Sequence, residues 1–521
     1  MAAAATMAAT VAGSASAAEV KLQMKGGSFE VVGDLKQFDG TKYVVETTTF
    51  GTMSLDATRF ECGGGGCPKA PMVAAYQKGK GSLGTSTWVG GSGIGTNYMP
   101  ELVKSYAASA GLKVTQGVGS DPRNLEFKLS DGAGNPVGQF NVNRLGVPAG
   151  FEALSQGQAE LVWTSARATE ADVVHYGASI GDLRSSGNEH VFALDAMVVL
   201  VAKENPLTSI SVDNLANIYA GKINDWSELG LPPGKINVYA PVEGMGTWTH
   251  FVNTILRPRS LPVREDAIRL KTAIEWSDRV AADPAGISTN FIAYIRNAKL
   301  INVEDSCGLI TKPSLFTAKT EEYPLSRRLY MYTKGQPKTP LGRELLAHAL
   351  SPAGQAILRN ADFVDQSPDV LGFGQQTSRI AYALNAKGED FDMELMRSLI
   401  GEIKPAQRLS ITYRFQTNSF VLDSKALSDI TRLRDLLLTQ DYANKSLMIV
   451  GFADSLGSFA SNLKLAEKRA AAVSRALGKA SGGRIPATRV DVRAYGELAP
   501  VACNDTVESR QLNRRVEIWI K

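Results

Sequence analysis

The hydrophobic rhythm of this chain changes along its length, and such a chain cannot be built around a single core. Residues 19–67 run as short strand-like pieces (VKLQM, SFEVVGDL, TKYVVETT, GTMSLDATRF) broken at turn positions, the pattern of a small all-β module over 19–70. From 84 to 366 strands alternate with helices, residues 367–405 are a polar, helix-prone connector, and 406–521 form a separate unit. At 521 residues the chain predicts about three or four domains of ordinary size. Its 44% hydrophobic and 21% charged content is that of a soluble globular protein. No apolar run reaches the roughly 18–20 residues that a membrane helix needs.

Residues 1–18, MAAAATMAATVAGSASAA, end in Ser16-Ala17-Ala18, a small-x-small site before Glu19, and read as the end of an export signal. The usual basic start is missing, so a disordered Ala-rich tail is the alternative. Cys62 and Cys67 flank four glycines in ECGGGGCP, a loop easily closed by a disulfide in an oxidising compartment. Cys307 and Cys503 lie in different domains, and their pairing is left open. The histidines at 175, 190, 250 and 348 are scattered, so neither a metal cluster nor a cofactor is expected.

Charge is unevenly placed. Residues 408–521 carry 18 basic and 11 acidic side chains, net +7, which leaves −3 upstream out of the chain's +4. A basic terminal domain suits an anionic partner at a surface. No RNA-binding signature or basic recognition helix accompanies it, so nucleic acid is not expected.

In the terminal unit RLSITYRF, SLMIVGF, RVDVRAY and RRVEIWI are strand-like, with helices after the first and second, a β-α-β-α-β-β order. The second helix places Phe459, Leu463, Ala466, Ala470, Val473 and Leu477 on one face at three- and four-residue steps. Asn462 and Arg469, seven apart, share a stripe at its margin, and Asp454 at the preceding strand end can approach it. Presented outward, a carboxylate beside a guanidinium suits a ligand bearing both ammonium and carboxylate. An internal salt bridge is the plainer alternative.

The motifs GFADSLGSFASNLKLAEKRAAAV, YGELAPVACNDT and SRQLNRRVEIWI, in this order, resemble the OmpA-like peptidoglycan-binding domain. The resemblance implies that Asp454 and Arg469 grip the diaminopimelate of the peptidoglycan stem peptide, with Asn462 and Arg514 as further contacts. Gln416 replaces a frequently acidic residue after Phe415, which weakens the grip on the ammonium.

In the central region TWVGGSGIGTNYMPELVKSYAASAG invites a nucleotide reading, but Gly91, Gly93 and Gly95 make no GxGxxG, and Thr96 stands where a Walker loop needs Lys. What survives is a helix N-terminus beside Ser92, a generic anion site. GVPAGFEALSQGQAELVWTSAR, IYAGKINDWSELG, VYAPVEGMGTWTHF and DPAGISTNFIAYIRNAKLINV resemble, in order and content, the PstS-like periplasmic phosphate-binding receptors of ABC importers. The resemblance implies two α/β lobes of the type II binding-protein fold, joined by crossing hinge strands and closing on a small oxyanion such as phosphate. The implied anion contacts are Ser92, Gly93, Gly150, Ser165, Gly246 and Thr247. The family's anion-pairing Arg is missing, because that loop reads Pro241-Val242-Glu243-Gly244-Met245-Gly246-Thr247, and Arg167 is the candidate substitute.

The expected protein is therefore multidomain and not an enzyme: a periplasmic solute receptor held noncovalently to peptidoglycan or the outer membrane. An ABC permease or outer-membrane proteins would be its further partners. Two alternatives stay open: an envelope scaffold whose receptor fold has lost its ligand, and a phosphate-ester enzyme using His250, which follows Thr247 by one helical turn.

Overall fold

A computed structural model describes residues 19–24, 30–38, 42–47, 51–56, 60–63, 82–243, 245–385 and 392–521. The expected export signal, Cys67 and Gly244 lie outside the described residues. Two compact units divide the chain, Met1–Lys80 with Ser105–Leu112, and Gly81–Lys104 with Lys113–Lys521. The first contains an antiparallel five-stranded sheet in which the inner strand Glu19–Met24 pairs with Glu30–Phe38 and with the edge strand Phe60–Gly63. Strict alternation buries Val20 and Leu22 with Val31, Val45 and Leu55 while Lys21 and Gln23 face solvent, which is why this segment is a strand. Cys62 is disulfide-bonded.

The second unit begins with the expected pair of α/β lobes. In the first lobe Gly84–Gly90 lies between two parallel neighbours, Pro136–Asn143 and Leu161–Thr164. In the second, Asn237–Pro241 runs parallel to Ile268–Leu270 and Gly286–Phe291. Two strands cross between the lobes. Glu189–Val201 pairs with Ser326–Thr333 through its first half and with Gly286–Phe291 through its second. It is buried on both faces, so its near-continuous apolar run HVFALDAMVVLV does not alternate.

The C-terminal strands Gln407–Arg414, Leu447–Gly451, Val490–Ala494 and Arg515–Ile520 form one sheet with the helices Ser424–Leu437 and Phe459–Ser481. Leu409, Ile411, Ile449, Val473 and Ile518 build the core between them. At Gly451 an added Cβ would lie 2.1 Å from the Ala466 carbonyl oxygen, so glycine lets the long helix approach the sheet.

Residues 367–405, expected as a helix-prone connector, do carry the helices Thr377–Leu384 and Met393–Ile403. Val370–Gly372 pairs antiparallel with Gln407–Leu409 as an edge strand. The helix Met393–Ile403 lays Met396, Leu399 and Ile403 against Met448, Val450, Phe452 and Trp519. The segment thus covers the second face of the C-terminal sheet, because that face would otherwise leave large apolar side chains in water.

This domain and the α/β lobes are joined through buried contacts. Cys307 of the second lobe is disulfide-bonded to Cys503, with Cα atoms 5.9 Å apart. Arg408, 1% exposed, pairs with Glu322 of the two-lobed domain and lies 3.3 Å from Glu517. Arg414 donates to the Thr320 carbonyl at 2.6 Å.

Candidate functional site

The turn that carries Asp454 leaves the sheet after Leu447–Gly451 and is pinned by Phe452 N–H to the Arg515 carbonyl and Ala453 N–H to the Gly496 carbonyl. Ser458 caps the following helix, Phe459–Ser481, whose inner face buries Asn462, Ala466, Arg469, Ala470, Val473 and Leu477. Asn462 and Arg469 do share this stripe. The expectation that Asp454 and Arg469 present their charges outward is corrected: Asp454 is 6% exposed, Asn462 4%, Arg514 3% and Arg469 0%. The direct partner of Asp454 is Arg514, at 2.6 Å, whose Nε also donates to the Phe415 carbonyl. Asn462 donates to Glu497 at 2.6 Å.

Arg469 completes the cluster from the other side. Its guanidinium lies 5.5 Å from the centre of the Phe415 ring and donates to the carbonyls of Ser419 (3.1 Å) and Gln416 (3.3 Å). Burial, then the like charge of Arg514, depresses its pKa to about 10, and Asp454 only partly offsets this. Two guanidiniums therefore face one carboxylate. The carbonyls that hold Arg469 belong to a loop with Gln416, Thr417, Asn418 and Phe420 exposed, and Leu456 is exposed on the Asp454 turn.

In the two-lobed domain, Ser92 and Ser165 follow the C-terminal ends of the adjacent parallel strands Gly84–Gly90 and Leu161–Thr164, so both stand on one edge of the first lobe. Gly91 and Ser92 begin a single helical turn in which Ser92 and Gly93 are exposed. Gly150 is not available to an anion. Its N–H bonds to the Gly146 carbonyl at 3.1 Å, and an added Cβ would meet Val162 at 2.8 Å, so its role is to seat a helix on the sheet. Gly246 and Thr247 open the helix Gly246–Phe251 after the strand Asn237–Pro241, on the matching edge of the second lobe. Thr247 Oγ1 is buried without a protein hydrogen-bond partner. Asn97 of the first lobe donates to the Tyr294 hydroxyl of the second at 3.3 Å, across the gap between these edges.

Arg167 does not replace the missing anion-pairing Arg. It forks onto the buried Glu189 at 2.7 and 2.9 Å. Arg327 is paired with Asp195 at 2.7 Å, and Arg269 lies 3.7 Å from Glu243 and stacks over Trp248. Burial, then the Arg327 charge, lowers the His250 pKa to about 3, which makes it a poor proton acceptor. Among the described residues no group of three or more His, Cys, Asp or Glu side chains could hold a metal ion. Glu189 and Glu322 are buried partners that no motif marks, and Asp454 and Arg514, both marked, pair with each other.

With this geometry in view, residues 129–356 match the PBP superfamily domain and residues 414–514 match the OmpA family. One region of the chain is thus similar to the PBP superfamily domain and a later region to the OmpA family. The phosphate-binding protein PstS of Borreliella burgdorferi is 23% identical over 192 residues, 35% of this chain and 67% of that protein. Outer membrane porin F of Pseudomonas aeruginosa is 36% identical over 114 residues, 22% of this chain, and the chain spans 31% of it. A crystal structure of an ABC-type phosphate transport receptor from Vibrio cholerae covers 54% of this chain and 99% of its own at 18% identity, with a TM-score of 0.42. Among the described residues no helix of either domain is long and apolar enough to cross a membrane.

Proposed function

We propose that this is a non-catalytic periplasmic protein whose OmpA-like domain holds it noncovalently to peptidoglycan, with the PBP-like domain as its solute receptor. The observation that carries the anchor is the charge imbalance at Asp454, Arg469 and Arg514: one carboxylate between two buried guanidiniums. A carboxylate from outside restores the balance, and an ammonium on the same ligand finds Asp454. Diaminopimelate in the stem peptide carries both groups. Because Arg469 has no solvent contact, the ligand carboxylate takes the place of the Gln416 and Ser419 carbonyls, and their loop must shift to admit it.

Sedimentation with purified peptidoglycan tests this. Arg469→Met keeps the Asp454–Arg514 pair and the helix face while removing one donor of a charge-assisted pair, so the bound fraction should fall about tenfold or more. Soluble diaminopimelate should release the wild-type protein. Retention of the variant at the wild-type level would end the anchor reading.

For the receptor, Thr247 Oγ1, buried and unbonded, supports a small oxyanion. A second reading, a scaffold that binds no anion, has its own support: Arg167, Arg327 and Arg269 are each matched to a carboxylate, and the family's Arg is Pro241. Calorimetric titration with phosphate separates the two, since heat at micromolar concentration supports the receptor and silence at millimolar supports the scaffold. An ABC permease is a partner only under the first reading.

A further inference from the structure

The OmpA-like domain grips the receptor on both sides of its hinge. The lobes are joined where Glu189–Val201 and Ser326–Thr333 cross, at the Asp195–Arg327 pair and the bridge between Leu194 and Val364. On the second-lobe side the grip consists of the Cys307–Cys503 disulfide, the Arg408–Glu322 pair and the Arg414 bond to Thr320. At the crossing, Arg328 forks onto Glu321 and also pairs with Asp423 at 2.7 Å. On the first-lobe side, Ser424 Oγ donates to Glu189 at 2.5 Å, and the helix Ser424–Leu437 packs along the strand that Glu189 begins.

Glu189 is a shared acceptor. Its buried carboxylate also accepts from Nε and Nη2 of Arg167 and, at 3.1 Å, from the Tyr332 hydroxyl. Arg167 is two residues beyond Ser165, so one carboxylate ties an edge loop of the first lobe to the start of an OmpA-domain helix. A rotation of one lobe about the crossing strands carries Glu189 away from Glu322 and Cys307. A single packed body bonded to both sides cannot follow both, and hydrogen bonds of this kind fail beyond about 3.5 Å.

We propose that the OmpA-like domain is a clamp on the receptor hinge, and that the lobes separate only when Asp423 and Ser424 release Arg328 and Glu189. The second-lobe side has a covalent bond and buried ion pairs, so release occurs at the two residues that begin the helix. The Asn97 bond to Tyr294 marks the closed state that the clamp maintains. The proposal concerns the hinge alone and does not depend on what either domain binds.

Hydrogen exchange of the full, oxidised chain tests it with Ser424→Ala and, separately, Asp423→Asn, which keeps a capping acceptor for the Ala426 N–H while removing the carboxylate that ties the helix to Arg328 and leaving that guanidinium paired with Glu321. Exchange in the facing segments Ser92–Asn97 and Gly246–Phe251 should rise roughly tenfold in at least one variant, the scale expected for losing a hydrogen bond to a charged group. Leu447–Gly451 should stay as protected as in the wild type. The clamp is overturned if the facing segments exchange as in wild type in both variants. It is equally overturned if they rise only together with Leu447–Gly451, since the domain would then simply be unfolding.

Discussion

Buried charge in this molecule is organised around carboxylates that serve several cations. Burial alone would raise the Glu322 carboxyl, but the Arg408 and Arg379 guanidiniums more than reverse this and hold it below its ordinary range. Glu322→Ala would leave Arg408 with Glu517 alone, which Arg379 and Arg515 already occupy. The expected cost is roughly 3–5 kcal/mol, read from chemical denaturation, because an uncompensated buried cation remains. His190 and His250 are instead kept uncharged by burial. Burial lowers His190 to about 4 and His250 to about 3, so both stay neutral in the folded protein while the unfolded chain protonates them near 6.5. Between that value and their folded pKa values the unfolded state binds more protons, and stability falls as pH falls. The slope approaches ~1.4 kcal/mol per pH unit for each histidine. Denaturation midpoints at pH 7 and pH 5 should therefore drop further for the wild type than for a His190→Asn, His250→Asn double variant; equal drops would show that neither ring is buried neutral.

Among the elements, the connector decides where a folding unit begins. Met396, Leu399 and Ile403 are buried against the sheet face formed by Met448, Val450 and Trp519. Each such side chain contributes about 1.5–3 kcal/mol when fully buried. A fragment that starts at residue 406 exposes that face and also loses the edge strand Val370–Gly372, so it should melt well below a fragment that starts at 368, and should aggregate on heating. Equal melting curves would mean that the helices are dispensable. A sequence reading finds polar, helix-prone text here, yet these helices are amphipathic: their apolar stripe is short, and its target lies in strands about fifty or more residues further along.

Across the whole molecule, the Cys307–Cys503 bridge spans 196 residues and ties the two domains into one body. Cys503→Ser should cost about 2–5 kcal/mol, seen as a lower thermal midpoint for these two domains, close to that of the reduced wild type. The helix Val507–Asn513 between the last two strands was not expected, but the sequence alone determined the β-α-β-α-β start of the terminal domain, because apolar periodicity acts within a few turns of chain, and its motif resemblance implied the two α/β lobes. The sequence also put Asp454, Asn462, Arg469 and Arg514 in one neighbourhood. Only the tertiary structure decided that Asp454 faces Arg514, that Arg167 is taken by Glu189, and that Ser424 reaches Glu189 from 235 positions away. Such pairings rest on which charge is left without water when domains pack, and that is settled by burial in three dimensions rather than by local pattern.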